Sequence, residues 1–143
     1  MRELARLKTE RAQLDREPPR DVQVAFAKHL DDWIAAQGDA LLCRVADIGG
    51  TLVGMAWMVV YERVPDLHDR HRLTGDIQSV FVTAKHRGLG IGAALIQALC
   101  QQADARGVRR VTVSANDLAL PLYRSAGFSP SPHLLERHHP GRL

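Results

Sequence analysis

The sequence predicts an α/β fold on a mixed sheet, antiparallel first and parallel later. Three observations predict it. Two strand-like segments, 41–47 and 52–61, flank a Gly49-Gly50 pair, which reads as a tight hairpin. A third strand, 76–83, runs into a glycine-rich turn that opens a helix. A fourth strand follows that helix, and strand–helix–strand is the order of a parallel crossover. The whole chain has 143 residues, which predicts one domain over 1–143.

The elements follow in order. Residues 3–17 are charged and helix-prone, with Leu4, Leu7, Ala12 and Leu14 on a loose helical period. Pro18-Pro19 ends that stretch, because proline lacks the amide donor a helix needs. Asp21 is the expected cap of a second helix. Val22, Phe26, Leu30 and Trp33 with Ile34 draw one apolar face on it, and Gly38 closes it. Residues 41–47 and 52–61 are the hairpin strands. The second is long and nearly all apolar, as expected of a central strand covered on both faces. Residues 62–75 form a polar loop, and 76–83 the third strand. The next helix is expected over 88–106, with Ile91, Leu95, Ala98 and Leu99 on one side and Gly107 at its end. A strand at 108–114 and a short helix at 119–126, stopped by Gly127, come next. In the proline-punctuated tail, 133–138 is the candidate last strand, and His138-His139 reads as a frayed end.

Composition excludes several classes. Apolar residues make up 45% and charged residues 24%, ordinary for a globular chain. No apolar run approaches the roughly 18 residues of a membrane span. Residues 1–20 are rich in Arg and Glu and have no apolar core of a signal peptide. Cys43 and Cys100 lie far apart without CxxC spacing, so the expectation is two reduced, buried thiols in a cytoplasmic protein. The net charge is +3, and Arg outnumbers Lys among the 19 cations. The longest basic run, Arg109-Arg110, is too short and the rest too dispersed for a nucleic-acid footprint. An anionic ligand is compatible with this balance.

The informative segment is Ser79-Val-Phe-Val-Thr-Ala-Lys-His-Arg87-Gly88-Leu-Gly90-Ile-Gly92-Ala-Ala-Leu. Glycines remove side chains, so backbone amides can converge, and the helix N-terminus adds partial positive charge. Together these make a phosphate or pyrophosphate cradle, with Arg87 a cation at its mouth. No Gly-Lys-Ser/Thr follows, which excludes a nucleotide P-loop. The glycines at 88, 90 and 92 do not give GxGxxG, and the strand 108–114 holds no acidic residue, which excludes a dinucleotide fingerprint.

Arg87, Gly90 and Gly92 satisfy Arg/Gln-x-x-Gly-x-Gly/Ala. This resembles the coenzyme A pyrophosphate site of the GCN5-related N-acetyltransferase (GNAT) superfamily. Downstream, Asn116-Asp-Leu-Ala119-Leu-Pro-Leu122-Tyr123-Arg-Ser-Ala-Gly127-Phe128 is similar to that family's N-x-x-A…LY-x-x-x-GF segment. Both motifs occur in family order, and the resemblance covers roughly residues 3–138.

The resemblance implies a GNAT-like acyl-CoA N-acyltransferase fold and acetyl-CoA as co-substrate, with no metal. The third strand would splay from the fourth, and main-chain groups near Val80, Phe81 and Val82 would pair with the pantetheine arm. The amides of Arg87, Gly88, Leu89, Gly90, Ile91, Gly92 and Ala93 would hold the pyrophosphate. Asn116 would bond the pantetheine, or else cap the following helix. Tyr123 matches the family's general acid. A phenol of pKa about 10 can protonate a departing thiolate of pKa about 8.5. The other role open to Tyr123 is a core residue beside Leu122 and Phe128.

The base has three candidates: Asp76, Glu62 and water. Asp76 lies six residues before Val82, where the histone-acetyltransferase branch carries a glutamate. Strand alternation would put Asp76, Gln78, Val80 and Val82 on one face. Asp is one methylene shorter than Glu, so a water relay is expected. Glu62 ends the long strand. The bland alternative is that both are solvated strand-end carboxylates. In the loop, His68-x-x-His71 with Asp66 and Asp69 lacks HExxH spacing and a cysteine, and a polar loop is expected over a metal site.

The predicted activity is transfer of an acetyl group to a primary amine of a small molecule, protein or peptide by direct attack on the thioester. The alternative is a non-catalytic acyl-CoA-binding or regulatory module of the same fold. Neither nucleic acid nor membrane is an expected partner. Domains of this family open with a short strand, whereas this chain starts almost inside its first helix, so the first edge strand is expected to be absent. The strand 41–47 would then be an open edge. Cover by the N-terminal segment, pairing with a second copy in a homodimer, or a late start of the chain would each account for it.

Overall fold

The computed structural model describes residues 2–141. The order is α1 (Arg2–Arg11), α2 (Arg20–Gln37), β1 (Leu41–Ile48), β2 (Thr51–Glu62), β3 (Leu73–Val82), α3 (Ile91–Ala105), β4 (Arg110–Val113) and α4 (Leu120–Ser125). Short 3-10 turns at Gly38–Ala40 and Ala84–His86 precede β1 and α3. The strands lie in the order β1-β2-β3-β4. The first two pairings are antiparallel and β3–β4 is parallel, so the expected mixed sheet with its crossover forms.

Two apolar clusters cover the sheet, one on each face. Ala56, Met58, Val60 and Ile77 pack with Ile96, Leu99 and Tyr123 on the α3/α4 face. Met55, Trp57 and Phe81 pack with Leu4, Leu7 and Leu30 on the α1/α2 face. β2 contributes alternate residues to both, which is why its sequence is apolar throughout.

Several boundaries differ from expectation. α1 stops at Arg11, not 17: Ala12 bonds back to both Lys8 and Thr9, and Gln13 turns out of the helix at φ 51°. Leu14 is therefore exposed. Asp21 does not cap α2. The helix starts from Pro19 without a side-chain cap, and Asp21 sits in its first turn. Val22 is exposed, so the apolar face of α2 begins at Phe26. β3 begins at Leu73, three residues early, because Leu73 pairs with Glu62. Residues 133–138 form no strand.

The loop 63–72 is tied down by charge. Arg72 meets Asp66 at 3.0 Å, and Arg109 of the segment before β4 reaches Asp69. With those carboxylates engaged, no group of three His, Cys, Asp or Glu able to hold a metal occurs among the described residues. β1 is an edge strand, as expected. α1 packs across β2 and β3, not beside β1. No described helix is long and apolar enough to cross a membrane.

Candidate functional site

The site begins where β4 ends. β3 and β4 pair from Thr74↔Arg110 to Ile77↔Val113 and no further. β3 runs on through Gln78–Val82, paired only with β2. A wedge-shaped gap therefore opens beside the last five residues of β3.

A bulge lies inside that segment. Trp57 faces Gln78 while Met55 faces Phe81, so Ala56 alone opposes Ser79 and Val80. Ser79 adopts φ 63°. One extra residue inverts the alternation of side chains. Ile77, Val80 and Val82 all reach the α3/α4 cluster, whereas Phe81 reaches the other. The expectation that Asp76 and Gln78 share a face with Val80 and Val82 is thereby corrected. The carboxylate lies on the α1/α2 face, opposite Ile77.

The backbone of Val82 faces the gap. Thr83 donates its amide to Val53 of β2 at 2.8 Å, so its neighbour's polar groups point the other way. The Val82 carbonyl accepts from Arg87 Nε at 3.0 Å, on the side away from β2. The Arg87 guanidinium also lies 5.5 Å from the Phe81 ring centroid. Arg87 thus clamps the strand end to the turn, and its fork is partly spent on that task.

The turn then delivers α3. Gly90 is its N-cap at φ 81°, a left-handed conformation in which a side chain is strained. Ala94 makes the first helical bond, to the Gly90 carbonyl at 3.1 Å. The amides of Ile91, Gly92 and Ala93 precede it and point out of the helix end. A Cβ built on Gly92 would lie 3.6 Å from Leu122 and 3.9 Å from Val82. The strand end, the α3 N-terminus and α4 therefore meet at one point.

α4 carries Tyr123 one residue beyond Leu122, packed into the cluster on the α3/α4 face. Its last turn closes through Gly127 at φ 95°: Phe128 donates to the Tyr123 carbonyl at 3.0 Å and Gly127 to Arg124 at 3.1 Å. That closure sets Phe128 edge-on to Tyr123, with ring centroids 5.5 Å apart. The spacing Tyr-x-x-x-Gly-Phe is the sequence form of this geometry. Burial raises the Tyr123 pKa above the ordinary phenol value, and the nearby Arg11 cation opposes the shift. The phenol is protonated at neutral pH and lines a pocket of about 330 Å³ with Val111, Val113 and Phe128.

Asn116 accepts the Ala119 amide on its Oδ1 at 2.9 Å, the capping role, which leaves its amide donors free. Asp76 accepts from Thr112 Oγ1 at 2.7 Å and from Gln78 Nε2 at 3.1 Å. It sits at the last rungs of the β3–β4 ladder. Glu62 faces Leu73, nine residues from Val82, or about 30 Å along an extended strand. The structure does not bring it to the gap.

Residues that the sequence did not single out also reach the gap. Lys8 of α1 donates to Ser79 Oγ at 2.7 Å and lies 5.6 Å from the Trp57 ring centroid. Burial, with the Arg11 charge, lowers its pKa. No short motif marks Lys8. Its only sequence signal is that it precedes Arg11 by three residues on one helix. Cys43 lies near Lys8, and burial pushes its thiol up to about 11. Both cysteines are free thiols, as expected, but each is half-buried, where full burial was expected.

A strand edge opened beside a glycine-capped helix, with α4 meeting both, matches the acyl-CoA N-acyltransferase fold. The Acetyltransferase (GNAT) family profile matches residues 4–128, and the chain belongs to that family. Among its relatives is the glucosamine 6-phosphate N-acetyltransferase of Trypanosoma brucei brucei. It is 33% identical over 79 residues, which are 55% of this chain and 52% of that protein. A mycothiol acetyltransferase of Paenarthrobacter aurescens is 30% identical over 105 residues, which are 71% of this chain and 30% of that protein. The chain thus spans about half the length of the first and less of the second. In fold it is similar to a predicted acetyltransferase of Clostridium acetobutylicum solved with acetyl-CoA. That likeness has a TM-score of 0.72 at 20% identity, over 96% of this chain and 87% of that one.

Proposed function

We propose that this chain is an acetyl-CoA-dependent N-acetyltransferase acting on a primary amine of a small molecule or peptide by direct attack on the thioester. The observation that carries the reading is the meeting of Val82, Gly92 and Leu122 beside an unpaired strand edge, with Tyr123 next along α4.

The residues present suit such a co-substrate. The edge of β3 from Val80 through Val82, where the main chain of Val82 turns to the gap and that of Phe81 to β2, offers main-chain partners to an amide-bearing arm. The turn from Arg87 and Gly88 through Leu89 and Gly90 leads to the free amides of Ile91, Gly92 and Ala93, which suit a pyrophosphate. Asn116 has amide donors left over for the arm. The relatives named above carry acetyltransferase names, which agrees with this assignment.

The chemistry follows from those positions. Asp76, through a water, takes a proton from the incoming ammonium. The amine nitrogen forms a bond to the thioester carbonyl carbon. The Val82 amide, facing the gap, offers a hydrogen bond to the carbonyl oxygen as it gains charge. The carbon–sulfur bond then breaks, the sulfur keeps the electron pair, and Tyr123 supplies its proton. The new amide nitrogen sheds its remaining surplus proton, which through solvent restores the phenol, and Asp76 returns its own proton to water.

The test is thiol release from acetyl-CoA with a panel of amines. The panel holds glucosamine and its 6-phosphate, amino acids and their amides, a peptide N-terminus and polyamines. Release with at least one acceptor is expected. Stoichiometric acetyl-CoA binding with no release from any member would sink the enzyme reading in favour of a binding module.

A further inference from the structure

Lys8 and Arg11 sit three apart on α1, so they share one face of that helix. Lys8 is anchored to Ser79, which lies in the part of β3 that β4 leaves unpaired. That face of α1 therefore looks onto the gap from the side opposite α3 and α4. Arg11 lies one turn further along. Its side chain is exposed on that same face, and its charge bears on both the Lys8 ammonium and the Tyr123 phenol.

Neither cation has a carboxylate within 4 Å among the described residues. The acidic side chains of α1 are committed elsewhere: Glu3 and Glu10 both meet Arg6. The Lys8 ammonium makes one hydrogen bond, to a neutral hydroxyl, and rests over the Trp57 ring. A half-buried ammonium with one neutral partner keeps unused donors. Two uncompensated cations beside a reactive gap repel a polycation and attract an anion.

We propose that Lys8 and Arg11 form a subsite for the anionic group of the acceptor, so that the preferred acceptor is a primary amine carrying a carboxylate or phosphate. The proposal rests on the acetyl-transfer reading for its reaction but not for its binding. The same cations disfavour the ammonium form of an amine held beside them, which assists the proton loss that attack requires. Free polyamines, all positive, are poor ligands for such a site. A rival source for the anion is a phosphate of the acyl donor, and the test separates the two.

The kinetic arm compares each anionic acceptor with its neutral counterpart: glucosamine 6-phosphate with glucosamine, an amino acid with its amide. The anionic member is expected to have at least about tenfold higher kcat/KM, and the gap to narrow in high salt. In Lys8→Met/Arg11→Gln the ratio is expected to fall to within about twofold. Arg11 is exposed, so Arg11→Gln alone keeps the test open if the Lys8 change unfolds the chain. A preference for neutral or polycationic amines, or a ratio unmoved by both variants, overturns the proposal. Loss of acetyl-CoA affinity with an unmoved ratio assigns the cations to the donor phosphates and overturns it too.

The binding arm uses the Trp57 indole resonance, distinguished from Trp33 with Trp33→Phe. Glucosamine 6-phosphate should shift it in the presence of CoA, glucosamine should not, and Arg11→Gln should abolish the difference. A shift without turnover of any amine upholds the subsite and removes the enzyme reading. Turnover with neither shift nor preference does the reverse.

Discussion

The two halves of β3 invite comparison. Thr74–Ile77 pairs on both sides, with β2 and β4, and side chains also bond across the ladder. Asp76, for instance, accepts from Thr112 across the ladder. Gln78–Val82 pairs with β2 alone, carries the bulge, and presents Val82 to Arg87 and Ser79 to Lys8. One strand thus has a structural half and a half open to ligand. The switch between them is the place where β4 stops, and the bulge at Ser79 follows at once. By inverting the alternation, the bulge turns Val80 and Val82 toward α3 while Asp76 and Gln78 keep to the side of α1. Donor-side and acceptor-side groups can then come from one strand.

The largest effect that tests this division lies in the paired half. Met58 is fully buried opposite Ile77, with its sulfur where a Cβ on Gly75 would be. Met58→Ala removes that packing and is expected to lower stability by about 2–5 kcal/mol in urea unfolding. A loss under about 1 kcal/mol would mean that this half is not the rigid one.

Next in size is Tyr123 at the open half. Tyr123→Phe keeps the ring on Phe128 and removes only the hydroxyl. Turnover is expected to fall at least about tenfold, or about 1.4 kcal/mol of barrier, with acetyl-CoA affinity nearly unchanged. The sign of the pH dependence follows from burial. The acid works while protonated, so activity is lost as pH rises through its pKa. Burial raises that pKa, so the basic limb of kcat belongs above the ordinary phenol value of about 10. A limb near neutrality, or normal turnover in the variant, removes Tyr123 from the acid role.

The division of β3 explains what was readable from the chain. Periodicity marked the strands and α3, and the glycine turn was legible because positive φ at Gly90 needs a residue without Cβ. The Tyr123-to-Phe128 closure was legible for the same reason at Gly127. The bulge was not, because Ser79 carries no mark of its left-handed backbone. The early end of α1 was hidden as well: Gln13 leaves the helix although no proline or glycine stands there. Lys8 was invisible as a site residue because its partner, Ser79, is 71 positions away. Asp76 was placed in the right strand and on the wrong face, since alternation was counted through a bulge that the sequence does not announce.

That misplacement makes Asp76 the sharpest small test of the comparison, because it stands at the boundary between the halves. Both its oxygens already accept hydrogen bonds, from Thr112 and Gln78. Each oxygen keeps a second lone pair, so a water can still bridge to the acceptor amine. Asp76→Asn retains size and at least one of the two bonds, and the ladder should survive, with melting nearly unchanged. Turnover is expected to fall about fivefold, because bulk water can take over part of the proton transfer. The telling observation is the acidic limb of kcat with saturating acceptor. A carboxylate base loses activity as it protonates, whereas an amide has no such limb. Disappearance of the limb assigns the proton transfer to Asp76. An unchanged limb with lower stability assigns Asp76 wholly to the paired half, as the clamp that fixes where β4 ends and the gap begins.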